Sequence, residues 1–462
     1  MTPATSPFAI RNIRLFIAFR ILFSCRFYYP VFTILFLDYG LTIEQFALLN
    51  TVWAITIVVA EVPSGALADI LGRKALLITT ALCMVIEMGI IAFIPTTNIT
   101  LVFWAFFINR VMSGLAEAMA SGADEAMAYD SLSEQGLAGC WPTVLSLQMR
   151  LNSIASIITA TTGALLYDPA VINHLLDWAD IEMAVVQQQT MRYPVYLTLL
   201  LALAATAVSF LFQEQPIGNG ASTNSQGFFR NLRAALRVTL AAGGWIMKSP
   251  FALTVILFGM FYEHILRMMV TLTSQYYRLI QLPEASFGII SAAIALLGLY
   301  TPRLCERLVQ RNSARHNAYI LLAISLCATA IMAGFYPYIG LVAIALASVG
   351  LTMVKFFTSH YLNRISSSAQ RATVLSFMGM ASNLCYGLIG IFFALLMQRM
   401  RDLAVVAHPN WSGQLIENQS FMLAIGWLPW YTALLFGILL VFSRMRLTEA
   451  LVQAGETNQE RS

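Results

Sequence analysis

Ten ionisable side chains lie inside long apolar runs: Arg20, Arg26, Glu61, Glu87, Arg110, Glu117, Arg150, Glu263, Arg267 and Lys355. A charge at such a position is costly, so it normally faces a water-filled cavity, a partner charge or a substrate. Spacing narrows the chemistry. Arg110 and Glu117 are seven apart, two turns along one helix face. Glu263 and Arg267 are four apart and can pair directly. A carboxylate buried beside an arginine can take up and release a proton, because burial and the guanidinium act on its proton affinity in opposite senses. The competing reading is that these groups neutralise one another and set helix register.

The elements that must hold these charges follow from composition. Of 462 residues 58% are hydrophobic and 11% charged, against about 25% in an ordinary soluble chain. The mean hydropathy of +0.72 comes from repeated apolar runs about as long as a bilayer is thick. The chain reads as an all-α polytopic membrane protein. Twelve spans are expected near 12–37, 46–68, 75–94, 101–123, 139–167, 193–212, 250–276, 284–304, 317–337, 339–362, 372–398 and 421–443. The first run is too long for a cleavable signal and reads as a span. The expected divisions are an N-terminal six-helix bundle (1–212), a cytoplasmic linker (213–249), a C-terminal six-helix bundle (250–446) and a cytoplasmic tail (447–462). In the linker, a Gly/Ser/Asn stretch reads as flexible. It leads into an amphipathic helix with Phe229, Leu232, Leu236 and Leu240 on one face and Arg230, Arg233 and Arg237 on another, suited to lie against the membrane surface. With the N-terminus inside, seventeen of the 27 Lys and Arg fall in or beside cytoplasmic segments, four outside and six within spans. That asymmetry places both termini in the cytoplasm.

Between the second and third spans stands Gly65-Ala66-Leu67-Ala68-Asp69-Ile70-Leu71-Gly72-Arg73-Lys74. Its glycines suit close helix approach and a tight turn, and Asp69 suits the positive end of a neighbouring helix. Arg73 is placed to pair with Asp124 or Glu125. The run resembles the signature loop of the major facilitator superfamily, G-x-L-a-D-r-x-G-r-k, departing at Ile70. Arg110 and Gly114 resemble the family's R-x-x-x-G motif, whereas its fifth-span G-x-x-x-G-P motif is absent. A degraded echo of the signature at Gly298–Arg307 suggests two related halves, with Pro302 where the aspartate would stand. The resemblance implies two pseudo-symmetric bundles and a conformational latch made of Gly65, Asp69, Gly72, Arg73, Lys74, Asp124 and Glu125. It also implies a central cavity lined by spans one, four, seven and ten, which carry seven of the ten buried charges. The candidate substrate and proton cavity is Arg26, Arg110, Glu117, Arg150, Glu263, Arg267 and Lys355. Tyr28, Tyr29, Trp104, Phe107, Phe261 and Tyr262 could supply its apolar walls.

With Glu61 assigned to the latch region and Glu87 to a structural role on an outer span, six positive charges face two negative ones. An organic anion or zwitterion is the favoured substrate. The expected function is a secondary transporter of a small organic solute working by alternating access with protons. Glu61–Lys74 and Ser121–Leu132 resemble bacterial facilitator exporters; an importer and a non-transporting receptor or scaffold are the alternatives. No HExxH, GxSxG or Walker loop points to an enzyme or an ATP-driven pump. The six cysteines carry no metal-ligand spacing and read as small buried hydrophobes, and His264 and His360 as packing residues. No cofactor or nucleic-acid partner is expected. A monomer in a bacterial inner membrane is.

Overall fold

The computed structural model describes residues 6–121, 123–213, 225–365 and 368–459. Some side chains within helices, including those at Gly65, Asp69 and Phe229, lie outside the described residues, as does the linker stretch 214–224. Nineteen α-helices and no strand occur among the described residues. They are α1 (Arg11–Ser24), α2 (Phe32–Asp38), α3 (Ile43–Leu71), α4 (Arg73–Phe93), α5 (Ile99–Ala120), α6 (Ala123–Glu134), α7 (Trp141–Tyr167), α8 (Pro169–Trp178), α9 (Gln187–Thr190) and α10 (Tyr193–Leu211). There follow α11 (Ser225–Lys248), α12 (Pro250–Thr271), α13 (Thr273–Leu279), α14 (Ser286–Arg311), α15 (Ala314–Ala333), α16 (Ile339–Ile365), α17 (Ser368–Ala407), α18 (Gly413–Gly426) and α19 (Leu428–Gln459). Among the described residues, eleven segments are long and apolar enough to cross a bilayer, and α7 with α8, bent by 79°, makes the twelfth when counted as one span.

The first span differs from the uninterrupted helix expected over 12–37. It breaks after Ser24, and a short 3-10 turn over Tyr29–Val31 precedes α2. Pro30 is the cause: it lacks the N–H a continuing helix needs, and its ring crowds the preceding turn. Irregular backbone at membrane depth survives only where its polar groups find partners. Here the Phe27 amide donates to Thr198 Oγ1 of α10 at 3.1 Å. The Phe27 carbonyl lies so close to Gly163 of α7 that an added Cβ would stand 1.7 Å from its oxygen. Only glycine admits that approach.

The turn between α3 and α4 is set by Gly72, whose φ of +85° is left-handed backbone that favours glycine. Arg192 donates to the carbonyls of Ala92 and Ile94 at 2.7 and 2.6 Å, satisfying the end of α4 with a cation.

Two compact units result, one of residues 1–235 with 281–295, the other of 236–280 with 296–462. In the first, α5 lies against α3 and α4, α10 against α4 and α1, and α1 against α6 and α7. In the second, α12 lies against α16, α17 and α19, and α15 against α16 and α19. The linker holds the 24-residue α11, on which Arg230, Arg233, Leu236, Arg237 and Leu240 are all exposed. The tail expected from residue 447 continues α19 as far as Gln459. Cys327 is exposed, unlike the buried hydrophobe expected there.

Candidate functional site

The break in α1 places Arg26 against α4 instead of along a continuing helix. Its guanidinium donates to Glu87, both side chains being almost wholly buried, at 5% and 0% exposure. Glu87 therefore leaves the peripheral role its outer span suggested: it is the counter-charge of Arg26. The second carboxylate oxygen of Glu87 and Nε of Arg26 are buried with no hydrogen-bond partner among the described residues.

The network continues through Asn109 on α5, which donates to the Glu87 backbone carbonyl at 2.7 Å. Asn109 Oδ1 accepts from Nε and Nη2 of Arg110 at 2.9 and 2.7 Å. Arg110 is 4% exposed and stacks over Phe32 and Phe36 of α2. Gly114, one turn on, lets α5 reach α3: a Cβ there would stand 2.8 Å from Thr56.

One turn before the break, Arg20 bonds the buried Asp124 at 2.8 Å and approaches Glu125 at 3.7 Å. One or other of these acids is the partner the sequence suggests for Arg73. Arg73 instead pairs with Asp130, further along α6, and the pair is solvent-accessible. The correction is geometric: Asp124 and Glu125, in the first turn of α6, are reached by Arg20 of α1. The side-chain surroundings of Gly65 and Asp69 lie outside the described residues. Ser64 Oγ donates to Glu61 and Ala118 carbonyls, tying α3 to α5 beside the loop.

Between these pairs is a polar cavity of about 440 Å³, lined among others by Arg20, Arg26, Tyr29, Glu117 and Glu125. Glu117 is exposed to it, and its carboxylate makes no salt bridge or hydrogen bond among the described residues. It and Arg110, expected on one face, have separate surroundings: the arginine is buried beside Asn109, the carboxylate is open to the cavity.

In the second unit Glu263 and Arg267 approach to 3.9 Å. Arg267 also donates to Asn383 at 3.0 Å and stacks over Tyr386 at 4.3 Å. His264 bridges the Met260 carbonyl and the Tyr431 hydroxyl at 2.8 and 2.9 Å, a packing role. Arg150 and Lys355 are exposed and join neither cluster. Among the described residues no group of His, Cys, Asp and Glu is arranged for a metal.

Sequence reasoning missed Asn109, Asn383 and Asp130, and gave Glu87 a structural role without identifying its partner Arg26. A buried Asn beside a buried Arg is the signal that could have found the first, since the guanidinium needs acceptors and a carboxylate is not required.

The sequence model of the Major Facilitator Superfamily matches residues 15–394. No curated protein sequence matches the chain. Among solved structures, the nucleoside transporter NupG is 13% identical with a TM-score of 0.65, over 95% of this chain and 99% of its own. A bacterial homologue of the human lysosomal transporter Spinster, in an inward-facing and unoccupied conformation, is 11% identical with a TM-score of 0.68, over 96% of this chain and 98% of its own. A D-xylose-proton symporter is 13% identical with a TM-score of 0.61, over 91% and 97%. These identities carry the fold alone.

Proposed function

This chain belongs to the Major Facilitator Superfamily and is a secondary transporter; we propose that it moves a small organic zwitterion or anion by alternating access, outward and in exchange for protons. The observation that carries this reading is Glu117, an uncommitted carboxylate facing a polar cavity beside Arg20 and Arg26. The lining sets these two cations against Glu117 and Glu125, and Arg26 has Glu87 behind it. An evenly balanced wall suits a solute bearing both charges better than the cationic excess counted from sequence did.

The cycle follows from competition for charge. Ionised, Glu117 offers the solute's cationic group a partner while Arg20 and Arg26 hold its anionic group. Protonated, it withdraws that partner and releases the solute, so proton and solute bind in alternation, as exchange requires. The Arg73–Asp130 pair supports a latch beside the signature loop, broken and remade as the transporter changes state. The proton symporter among the solved structures supports coupling to protons. The exporter-like stretches Glu61–Lys74 and Ser121–Leu132 support the outward direction. The Lys and Arg asymmetry supports two cytoplasmic termini in a bacterial inner membrane, and we propose a monomer.

The test is transport in proteoliposomes across a panel of zwitterionic and anionic solutes. Glu117→Gln is expected to abolish proton-driven accumulation while keeping counterflow exchange. Full proton-driven transport in that variant, with its loss in Glu263→Gln, moves the coupling site to α12. Unchanged transport in both reduces the two carboxylates to structural counter-ions. Accumulation driven by a gradient of protons running with the solute overturns the outward exchange.

A further inference from the structure

The helix α7 is longer than a bilayer crossing needs. At about 1.5 Å per residue its 27 residues reach about 40 Å, against a hydrocarbon core of about 30 Å. Where it ends, at Tyr167, the chain turns by 79° into the ten-residue α8. Asp168 fixes the corner. One of its carboxylate oxygens caps α8 by accepting from the Ala170 amide at 2.9 Å, and the other accepts from the Ala285 amide at 3.1 Å. With α7 tilted by about 20°, as spans commonly are, α8 lies within about 30° of the membrane plane.

The residues of α8 divide it into three sides. Ile172 and Leu176 are partly buried, and His174 and Asp177, on the opposite side, are exposed. Between them Leu175 and Trp178 are exposed, at 52% and 85%. The segment after α8 adds exposed Ile181, Met183 and Val186. It is clamped to the helix by Asn173, which donates to the Val185 carbonyl at 3.0 Å and accepts from the Val185 amide at 2.7 Å. Large apolar side chains thus stay exposed on a frame closed at both ends, by Asp168 and by Asn173.

We propose that α8 is an interfacial helix lying in the headgroup region of the leaflet where α7 ends, with Leu175 and Trp178 at the acyl boundary and His174 and Asp177 toward water. Continuity selects this occupant. The bilayer that surrounds α7 reaches its end, and α8 starts there, nearly flat. Tryptophan is favoured at that depth, where its ring meets lipid and its N–H meets water. A second copy of the chain or a soluble partner would first have to displace that lipid. Charge narrows the lipid further. Residues 168–191 hold Asp168, Asp177, Asp180 and Glu182 and no Lys or Arg. Such a set repels anionic headgroups, so the match is a zwitterionic leaflet, in contrast to α11 with its exposed arginines. The inference needs α7 to cross the membrane and is independent of the substrate and proton readings above.

The experiment places single nitroxide labels through His174→Cys, Leu175→Cys, Asp177→Cys and Trp178→Cys, in the full-length protein freed of its six native cysteines and reconstituted in phosphatidylcholine. Accessibility to oxygen, which concentrates among acyl chains, is compared with accessibility to a water-soluble nickel chelate. The oxygen-to-nickel ratio at 175 and 178 should exceed that at 174 and 177 by roughly fivefold, as for a face about 5–10 Å into the headgroup–acyl boundary. It should be no higher in phosphatidylglycerol. Equal ratios at the four sites put α8 wholly in water or wholly in lipid and overturn the proposal. Shielding of 175 and 178 from both reagents means that protein covers them, and overturns it too. A higher ratio in phosphatidylglycerol overturns the zwitterionic match. Should loss of the cysteines misfold the chain, Trp178→Phe in the native-cysteine protein gives the same reading. The emission that Trp178 contributes should be quenched by at least about half in lipid brominated near its carbonyls, and an unquenched contribution overturns the site.

Discussion

Glu87 and Arg26 show what one buried ion pair demands of its neighbours. Each is stable where it stands because the other is there, and removing one leaves the remaining charge uncompensated at membrane depth. Glu87→Gln should therefore cost about 3–5 kcal/mol of stability, seen as a lower unfolding temperature and poor recovery from the membrane. Replacing both partners, Arg26→Met with Glu87→Met, should regain most of that stability without regaining transport. A double variant as unstable as the single one would show that packing, and not charge, holds α1 to α4. Arg73 and Asp130 present the opposite case. Their pair is open to solvent, so Arg73→Ala or Asp130→Asn should change stability by only about 0–1 kcal/mol. Transport should nonetheless fall in both, and the exchanged pair Arg73→Asp/Asp130→Arg should recover part of it. Normal transport in both single variants, at matched abundance, would remove the latch.

Helix contacts in the first unit depend on where backbone approaches backbone. Gly163→Ala puts a methyl where the Phe27 carbonyl already stands, so α7 must withdraw from the break in α1. Gly89 lies on α4 with open space around it, and Gly89→Ala should be neutral or stabilising by up to about 1 kcal/mol through helix propensity. The two changes are chemically identical, so their difference in unfolding temperature measures the helix contact directly. Equal effects would dismiss it. The same contrast shows what can be read before a structure exists. The span pattern and the Gly65–Lys74 loop were legible because hydropathy and a positive-φ glycine are local properties, as Gly72 demonstrates. The partner of Arg26 was not legible. A carboxylate on an outer span looks the same whichever way its face turns, and only the break at Pro30 decides what Arg26 can reach. The exchange of Asp124 for Asp130 as partner of Arg73 has the same origin: both acids sit on α6, and the rotation of that helix against α1 is a tertiary fact.

Across the whole molecule, the distribution of Lys and Arg makes a claim about sides of the membrane. Single cysteines placed at Asn98 and Asn418 in a cysteine-free background should react with an impermeant reagent from outside, and one at Arg233 on α11 only from inside; the reverse pattern would invert the topology. The interruption in the first span also bears on how the chain is made. At about 1.5 Å per residue the 14 residues of α1 reach only about 21 Å, short of a hydrocarbon core of about 30 Å. They carry Arg20 and lead straight into Arg26. As the ribosome delivers this segment, neither Glu87 nor Thr198 has yet been synthesised, so both the guanidinium and the exposed amide of the break lack their eventual partners. The first span should consequently enter the bilayer incompletely and be completed only after later spans arrive. Nascent chains arrested ahead of Glu87 should leave residues 25–31 open to protease or alkylating reagent, and chains extended past Thr198 should protect them. Biosynthesis of this transporter would then begin with a helix that waits for its neighbours, and the biogenesis machinery would have to shelter it during that interval.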